Sequence, residues 1–171
     1  SQTHYWSYGP YVAKAADKSD IRNVIKWQAA AARRCMEAGA DIVYVYCAHD
    51  LSLPMQFLSR RYNRRTDEYG GSLENRVRLF REMIETTKEA VGHKCGVAVR
   101  FAVDEMMGGG GLEWQNEGRE VVEMLAELPD LWDVNVSDWS NDSGMSRFFD
   151  EDYQREYTDF VKSVTTKPVV G

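Results

Sequence analysis

Ile42-Val43-Tyr44-Val45-Tyr46-Cys47-Ala48-His49 is an apolar run whose last residues turn chemical. A phenol and an imidazole three residues apart, at the end of a buried strand, could pass a proton to or from a bound molecule, because imidazole titrates near neutrality. Arg100 follows a second apolar run, Gly96-Val97-Ala98-Val99, and would bring a fixed positive charge to the same end of the sheet. A third run, Trp132 to Val136, leads into a polar loop, Asp138 to Gly144, that carries Trp139 and Asp142. In parallel α/β folds ligands gather at the carboxyl ends of strands, so all of these stand where chemistry is expected. On residue type alone, a core tyrosine and a satisfied loop histidine explain Tyr46 and His49 equally well.

Holding such groups at one end of a sheet takes strands and helices in alternation. Five of the six residues Ile42 to Cys47 are β-branched or aromatic, which suits a strand buried on both faces. Before it, Ser19 or Asp20 is a candidate cap for a helix with apolar positions Ile21, Val24, Ile25, Ala31, Ala32, Cys35 and Met36, stopped by Gly39. After it, Asp50 to Gly71 has no period and reads as a long functional loop. Ser72 then caps a helix bearing Leu73, Val77, Phe80 and Ile84 on one face, with Gly92 as its stop. A loop containing Gly108 to Gly111, a helix over 113–128 ended by Pro129, the third strand, a helix over 152–164 and the start of a fourth strand at Lys167 to Gly171 complete the order.

Strict alternation means a parallel sheet, and either a doubly wound sheet or a (β/α)8 barrel satisfies it. No G-x-G-x-x-G follows any strand, which removes the dinucleotide fingerprint and favours the barrel. A whole barrel takes about 250 residues. Residues 1–171 are therefore read as one partial TIM-barrel domain without an internal boundary, α/β in class. Two open sheet edges and an unfilled interior predict that the chain associates, as a homo-oligomer or with companion chains that complete the barrel.

The bulk properties exclude several classes. A net charge of −6 and a pI near 5.1 argue against nucleic-acid binding, which needs clustered excess cations. Cys35, Cys47 and Cys95 show no C-x-x-C spacing, so neither a disulfide framework nor a metal site is indicated. With no apolar run of transmembrane length and no signal peptide, a reducing cytoplasm is the expected location.

Leu53-Pro54-Met55-Gln56-Phe57-Leu58, Asn63-Arg64-Arg65-Thr66-Asp67-Glu68-Tyr69-Gly70-Gly71-Ser72 and Leu73-Glu74-Asn75-Arg76 resemble the signature that follows the fourth strand in the Old Yellow Enzyme family of FMN-dependent barrels. The resemblance covers nearly the whole chain. It implies that the four strands are the fourth to the seventh of the barrel and that FMN is the cofactor. Ene-reductases of that family end the fourth strand with His-x-x-Asn or His-x-x-His, whereas here it ends Tyr46-Cys47-Ala48-His49. Tyr-x-x-His, Val99-Arg100-Phe101, Trp132-Asp133 and the stretch Trp139 to Phe148 are similar to the branch holding trimethylamine, dimethylamine and histamine dehydrogenases.

That likeness implies oxidation of a small alkylamine by hydride transfer to FMN. Tyr46, His49 and Asp142 would form a catalytic relay, Trp139 would face the substrate cation, and Arg100 would stabilise negative charge on the reduced flavin. A Trp face attracts a cation by about 0.5–2 kcal/mol depending on desolvation. The same branch implies a 4Fe-4S cluster and an external electron-transfer flavoprotein as electron acceptors. The cluster's cysteine-rich stretch and the cysteine that attaches FMN are not among these residues. Two alternatives stay open: an NAD(P)H-dependent ene-reductase of the same fold, and a non-catalytic half-barrel module that completes another chain. Arg60, Arg61, Arg64 and Arg65 are expected to order their own loop against Asp67 and Glu68.

Overall fold

The computed structural model describes residues 14–108, 110–137 and 149–171. Among these, four parallel strands lie in the order β1 (Ile42–Cys47), β2 (Gly96–Asp104), β3 (Leu131–Val136) and β4 (Val169–Val170). Neighbours in sequence are neighbours in the sheet, with a helical crossover between each pair. The arrangement is part of a (β/α)8 barrel, as the alternation predicts.

The first helix, α1 (Lys18–Glu37), begins earlier than the spacing suggests. Asp17 is its cap and accepts from the Ser19 and Asp20 amides, while the Asp20 carboxylate accepts from the Asp17 amide. Two aspartates three residues apart do reciprocally what Ser and Glu do in the usual capping box. The supposed loop from Asp50 to Gly71 contains α2 (Leu53–Leu58), with Ser52 as cap and Pro54 in its first turn. Six residues are too few to display a period, which is why sequence pattern misses it. Ser72 does cap α3 (Leu73–Val91), accepting from the Asn75 amide at 3.3 Å.

The predicted helix over 113–128 is instead a π-helical turn (Trp114–Gly118) that runs into α4 (Arg119–Leu125), and α5 (Arg155–Val164) follows β3. Gly118 explains the wide turn. A Cβ at that position would come 2.0 Å from the Val103 carbonyl oxygen, so the turn lies directly on β2. Gly118→Ala should push it off the strand at a cost of about 1–3 kcal/mol, seen as a lower thermal midpoint of the full-length protein. An unchanged midpoint would mean that the contact relaxes freely.

The strands place their two faces in different surroundings. Val43, Val45 and Cys47 of β1, Val97, Val99, Phe101 and Val103 of β2, and Trp132, Val134 and Val136 of β3 are buried beneath the helices. Phe80 of α3, Phe101 and Trp132 stack through that layer with ring centroids 5.7 and 6.3 Å apart. The other face is the barrel interior. There Ile42, Tyr44, Tyr46 and Val170 are between 38 and 48% exposed, so β1 is not buried on both faces here. No helix among the described residues is long and apolar enough to cross a membrane.

The Asn63–Gly71 segment is a folded loop held by its own polar groups. Asn63 donates to the Phe57 and Tyr69 carbonyls, and its side-chain oxygen accepts from the Arg65 amide. Arg65 grips Asp67 with two nitrogens and holds the Asp67 carboxyl below the usual range. The expectation of a self-contained basic loop is right for Arg65 and wrong elsewhere. Arg60 reaches Glu117 at 2.5 Å, and Glu68 pairs with Lys18 at 2.8 Å, because the fold brings those partners across from other elements.

Candidate active site

Register brings the chemical residues of the inner face into one row. Tyr46 of β1 is paired with Arg100 of β2, and Arg100 with Asp133 of β3. Arg100 is not at a strand end, as its position after Val99 suggests. It is the fifth residue of a nine-residue strand, because Phe101-Ala102-Val103 carries the apolar pattern onward to Asp104. A guanidinium nitrogen of Arg100 donates to the Asp133 carboxylate at 3.1 Å. The Arg100 side chain is 36% exposed and that of Asp133 14%, so the acid sits deeper and orients the base.

Guanidinium has five N–H donors in a fixed fork, and the described bond to Asp133 uses one nitrogen. Arg100 alternates with the helix-covered Val99 and Phe101 and its side chain is 36% exposed, so it leaves donors for an electron-rich ring bound on the inner face. The donor set therefore fits a flavin. Sequence reading missed Asp133 as a partner, since strand register cannot be seen in a sequence.

Tyr46 is the last inner-face residue of β1 and is 38% exposed toward the interior. The chain then turns sharply. His49 and Asp50 both adopt left-handed backbone, with φ of 57° and 59°. Non-glycine residues seldom take that conformation, and two in succession hold strain that the surroundings must over-determine. The turn folds the His49 ring back beneath Tyr46. His49 is only 3% exposed, and the two ring centroids are 6.0 Å apart at a 32° tilt.

Asp50 is fixed from α2 and the segment after it. Tyr62 donates its hydroxyl to the Asp50 carboxylate at 2.7 Å, and the Gln56 side chain donates to the Asp50 carbonyl at 3.1 Å. Burial pushes the Tyr62 phenol well above its ordinary range, with the Asp50 bond adding to the shift. Tyr62 therefore remains a protonated donor at any working pH. Behind this group lies Glu105, fully buried at the end of β2, which accepts from the Leu112 amide at 2.6 Å. A Cβ at Gly111 would come 2.4 Å from the Glu105 carboxylate, so that loop folds tightly over the acid. Burial, and secondly Glu105, raises the Cys47 thiol well above its ordinary value, which keeps Cys47 a neutral core group.

Of the five site residues expected from sequence, Tyr46 and Arg100 stand side by side on neighbouring strands and the His49 ring lies near that of Tyr46. Trp139 and Asp142 lie outside the described residues. Asp50, Tyr62 and Glu105 were not foreseen. The one signal for them was the His49-Asp50 pair itself, whose importance depends on a backbone conformation that residue type does not declare. Among the described residues no group of three or more His, Cys, Asp or Glu side chains could hold a metal ion. Cys35 is exposed while Cys47 and Cys95 are buried, and they form no cluster-binding set.

Residues 2–171 match the model of the NADH:flavin oxidoreductase / NADH oxidase family. Dimethylamine dehydrogenase of Hyphomicrobium sp. (strain x) is 38% identical over 159 residues, which are 91% of this chain and 22% of that protein. The 6-hydroxypseudooxynicotine amine oxidase of Pseudomonas geniculata N1 superposes with a TM-score of 0.92 at 55% identity, over 98% of this chain and 25% of that one. Histamine dehydrogenase from Rhizobium sp. 4-9 superposes with a TM-score of 0.88 at 45% identity, over 97% of this chain and 24% of that one. The chain thus spans about a quarter of the length of these relatives.

Proposed function

The chain belongs to the NADH:flavin oxidoreductase / NADH oxidase family, as part of the barrel of an FMN oxidoreductase, and from that premise we propose that the complete enzyme oxidises a small amine. Bound FMN supplies the acceptor for the hydride equivalent that the amine carbon gives up. The observation that carries the reading is Tyr46 on the inner face with His49 folded beneath it, where enone reductases of this family would carry an imidazole donor. Similarity to proteins named as amine dehydrogenases and an amine oxidase, at 38 to 55% identity, supports it.

Each residue then has a physical task. An alkylammonium ion cannot release hydride until it loses a proton, so a nearby base sets when the nitrogen becomes neutral. Tyr46 stands toward the interior and would exchange that proton, while His49 would shift the phenol's acidity from below. Arg100, aimed by Asp133, would offer positive charge to the flavin ring. Trp139 is proposed as the aromatic wall for the substrate cation, and Asp142 as the group that orients His49. The electron route through a 4Fe-4S cluster to an electron-transfer flavoprotein is proposed for the whole enzyme only, because the cysteines of this chain do not fit a cluster. The half-exposed inner residues Ile42, Tyr44 and Val170 support completion of the barrel by further segments or companion chains. A cytoplasmic location is proposed on the three free cysteines.

Anaerobic mixing of the flavin-loaded enzyme with dimethylamine, trimethylamine or histamine should bleach the flavin with at least one of them. Bleaching by NADPH with reoxidation by cyclohexenone, and by no amine, would overturn the proposal in favour of the ene-reductase.

A further inference from the structure

We infer that Tyr62 is a positioning residue for this site: by donating to Asp50 it locks the left-handed His49–Asp50 turn and thereby fixes the imidazole beneath Tyr46. The inference rests on the amine-oxidation reading and goes beyond it, because Tyr62 is thirteen residues downstream of His49 and on a different segment. Three observations meet at the turn. Both residues are in a conformation that side chains rarely adopt, at φ of 57° and 59°. The turn is gripped at two points, the Asp50 carboxylate by Tyr62 at 2.7 Å and the Asp50 carbonyl by Gln56 at 3.1 Å. The residue that the turn carries, His49, is 3% exposed and in ring proximity to Tyr46 at 6.0 Å.

A left-handed pair that was only a connection would be served at lower cost by glycine, which takes positive φ without penalty. Here the chain uses a histidine and an aspartate and adds a half-buried phenol to hold the second. The direction of the side chains is what the clamp secures, since an Asp50 released toward ordinary backbone angles would swing His49 out from beneath the sheet end. Among the described residues, the charged and titratable groups near this turn include Tyr46, Tyr62, Glu105 and Arg61. The Arg61 guanidinium lies 5.3 Å from the Tyr62 ring centroid, and Glu105 acts on Tyr62 and Cys47 by charge alone.

Two substitutions in the flavin-loaded full-length enzyme separate positioning from plain stability. Tyr62→Phe removes the donor and leaves the Asp50 charge less neutralised, which raises the apparent pKa of neighbouring acids. Asp50→Gly removes the acceptor and the charge, lowers that pKa, and relieves the backbone strain. Both should slow anaerobic flavin reduction by amine about tenfold. The ionisation seen in its pH profile should move up by about half a unit for Tyr62→Phe and down by a similar amount for Asp50→Gly. Thermal midpoint should fall for the first variant and hold or rise for the second. The double variant should be no slower than the worse single one, because both break the same clamp.

Wild-type pH profiles in both variants would overturn the inference, as would rate losses that track the thermal midpoint or that add in the double variant. Failure of the wild-type enzyme to accept electrons from any amine is a separate result, and it bears on the proposed function alone.

Discussion

Tyr46→Phe should slow amine-driven flavin reduction by about 10²–10⁴-fold, the range over which a positioned acid or base acts, while leaving the protein's stability nearly intact. The reasoning starts from exposure. Tyr46 is 38% exposed on the inner face, whereas its strand neighbours Val45 and Cys47 are fully buried on the helix-covered face. The ring contributes to the wall of the barrel interior, and phenylalanine keeps that ring. What the change deletes is one hydroxyl at the end of β1, directly across from Arg100 in register. If the phenol exchanges the proton that frees the amine lone pair, its loss should lower the rate and remove one ionisation from the pH profile. Binding of a tetraalkylammonium ion, which has no proton to give, should be little altered. Stopped-flow reduction across pH gives the readout. Equal rates in the two proteins at every pH would make Tyr46 a wall residue and no more.

The strand that leads to Tyr46 and His49 is legible in the sequence because its limits follow from side-chain type, whereas a chemical role for the pair rests on the family resemblance, since residue type alone explains a core tyrosine and a loop histidine equally well. Arg100 was found but misplaced. Residue type suggests that Arg100 ends its strand, but in a barrel a charge facing the interior interrupts no pattern on the outer face. Asp133 was visible as a residue and invisible as a partner, since a salt bridge across β2 and β3 depends on register. Glu117 was hidden for a related reason: it lies in a π-helical turn whose extra residue shifts the helical period. The left-handed turn at His49 and Asp50 has no glycine or asparagine to announce it. Its cause, a bond to Tyr62, is set by where α2 and the following segment pack.

Arg76→Ala should destabilise the protein by about 3–5 kcal/mol, the cost of breaking one side of a buried ion pair, and so more than Gly118→Ala or either change at the His49–Asp50 turn. Arg76 is 1% exposed on α3, and its guanidinium joins three separate pieces of chain. One nitrogen donates to the Gly71 carbonyl at 3.2 Å, another to the Leu58 carbonyl at the end of α2, and the third pairs with the Glu117 carboxylate at 2.5 Å. Alanine withdraws every one of those donors at once and leaves Glu117, itself only 16% exposed, to Arg60, whose side chain is 73% exposed. A surface arginine in high dielectric cannot replace a buried one. Arg76→Lys should recover part of the loss, because an ammonium can meet Glu117 but lacks the planar fork that reaches the two carbonyls. Glu117→Gln should cost less than Arg76→Ala, since an amide oxygen still accepts from Arg76. The effect should also reach the site: Leu58 closes α2, which carries Gln56, and Tyr62 follows four residues later. Loosening that end of α2 frees the two groups that hold Asp50, so loss of flavin reduction should set in below the temperature of global unfolding. A thermal midpoint within a degree or two of wild type for Arg76→Ala would show instead that water enters and satisfies these groups, and that the guanidinium is not what ties α2, the Gly71 loop and the π turn together.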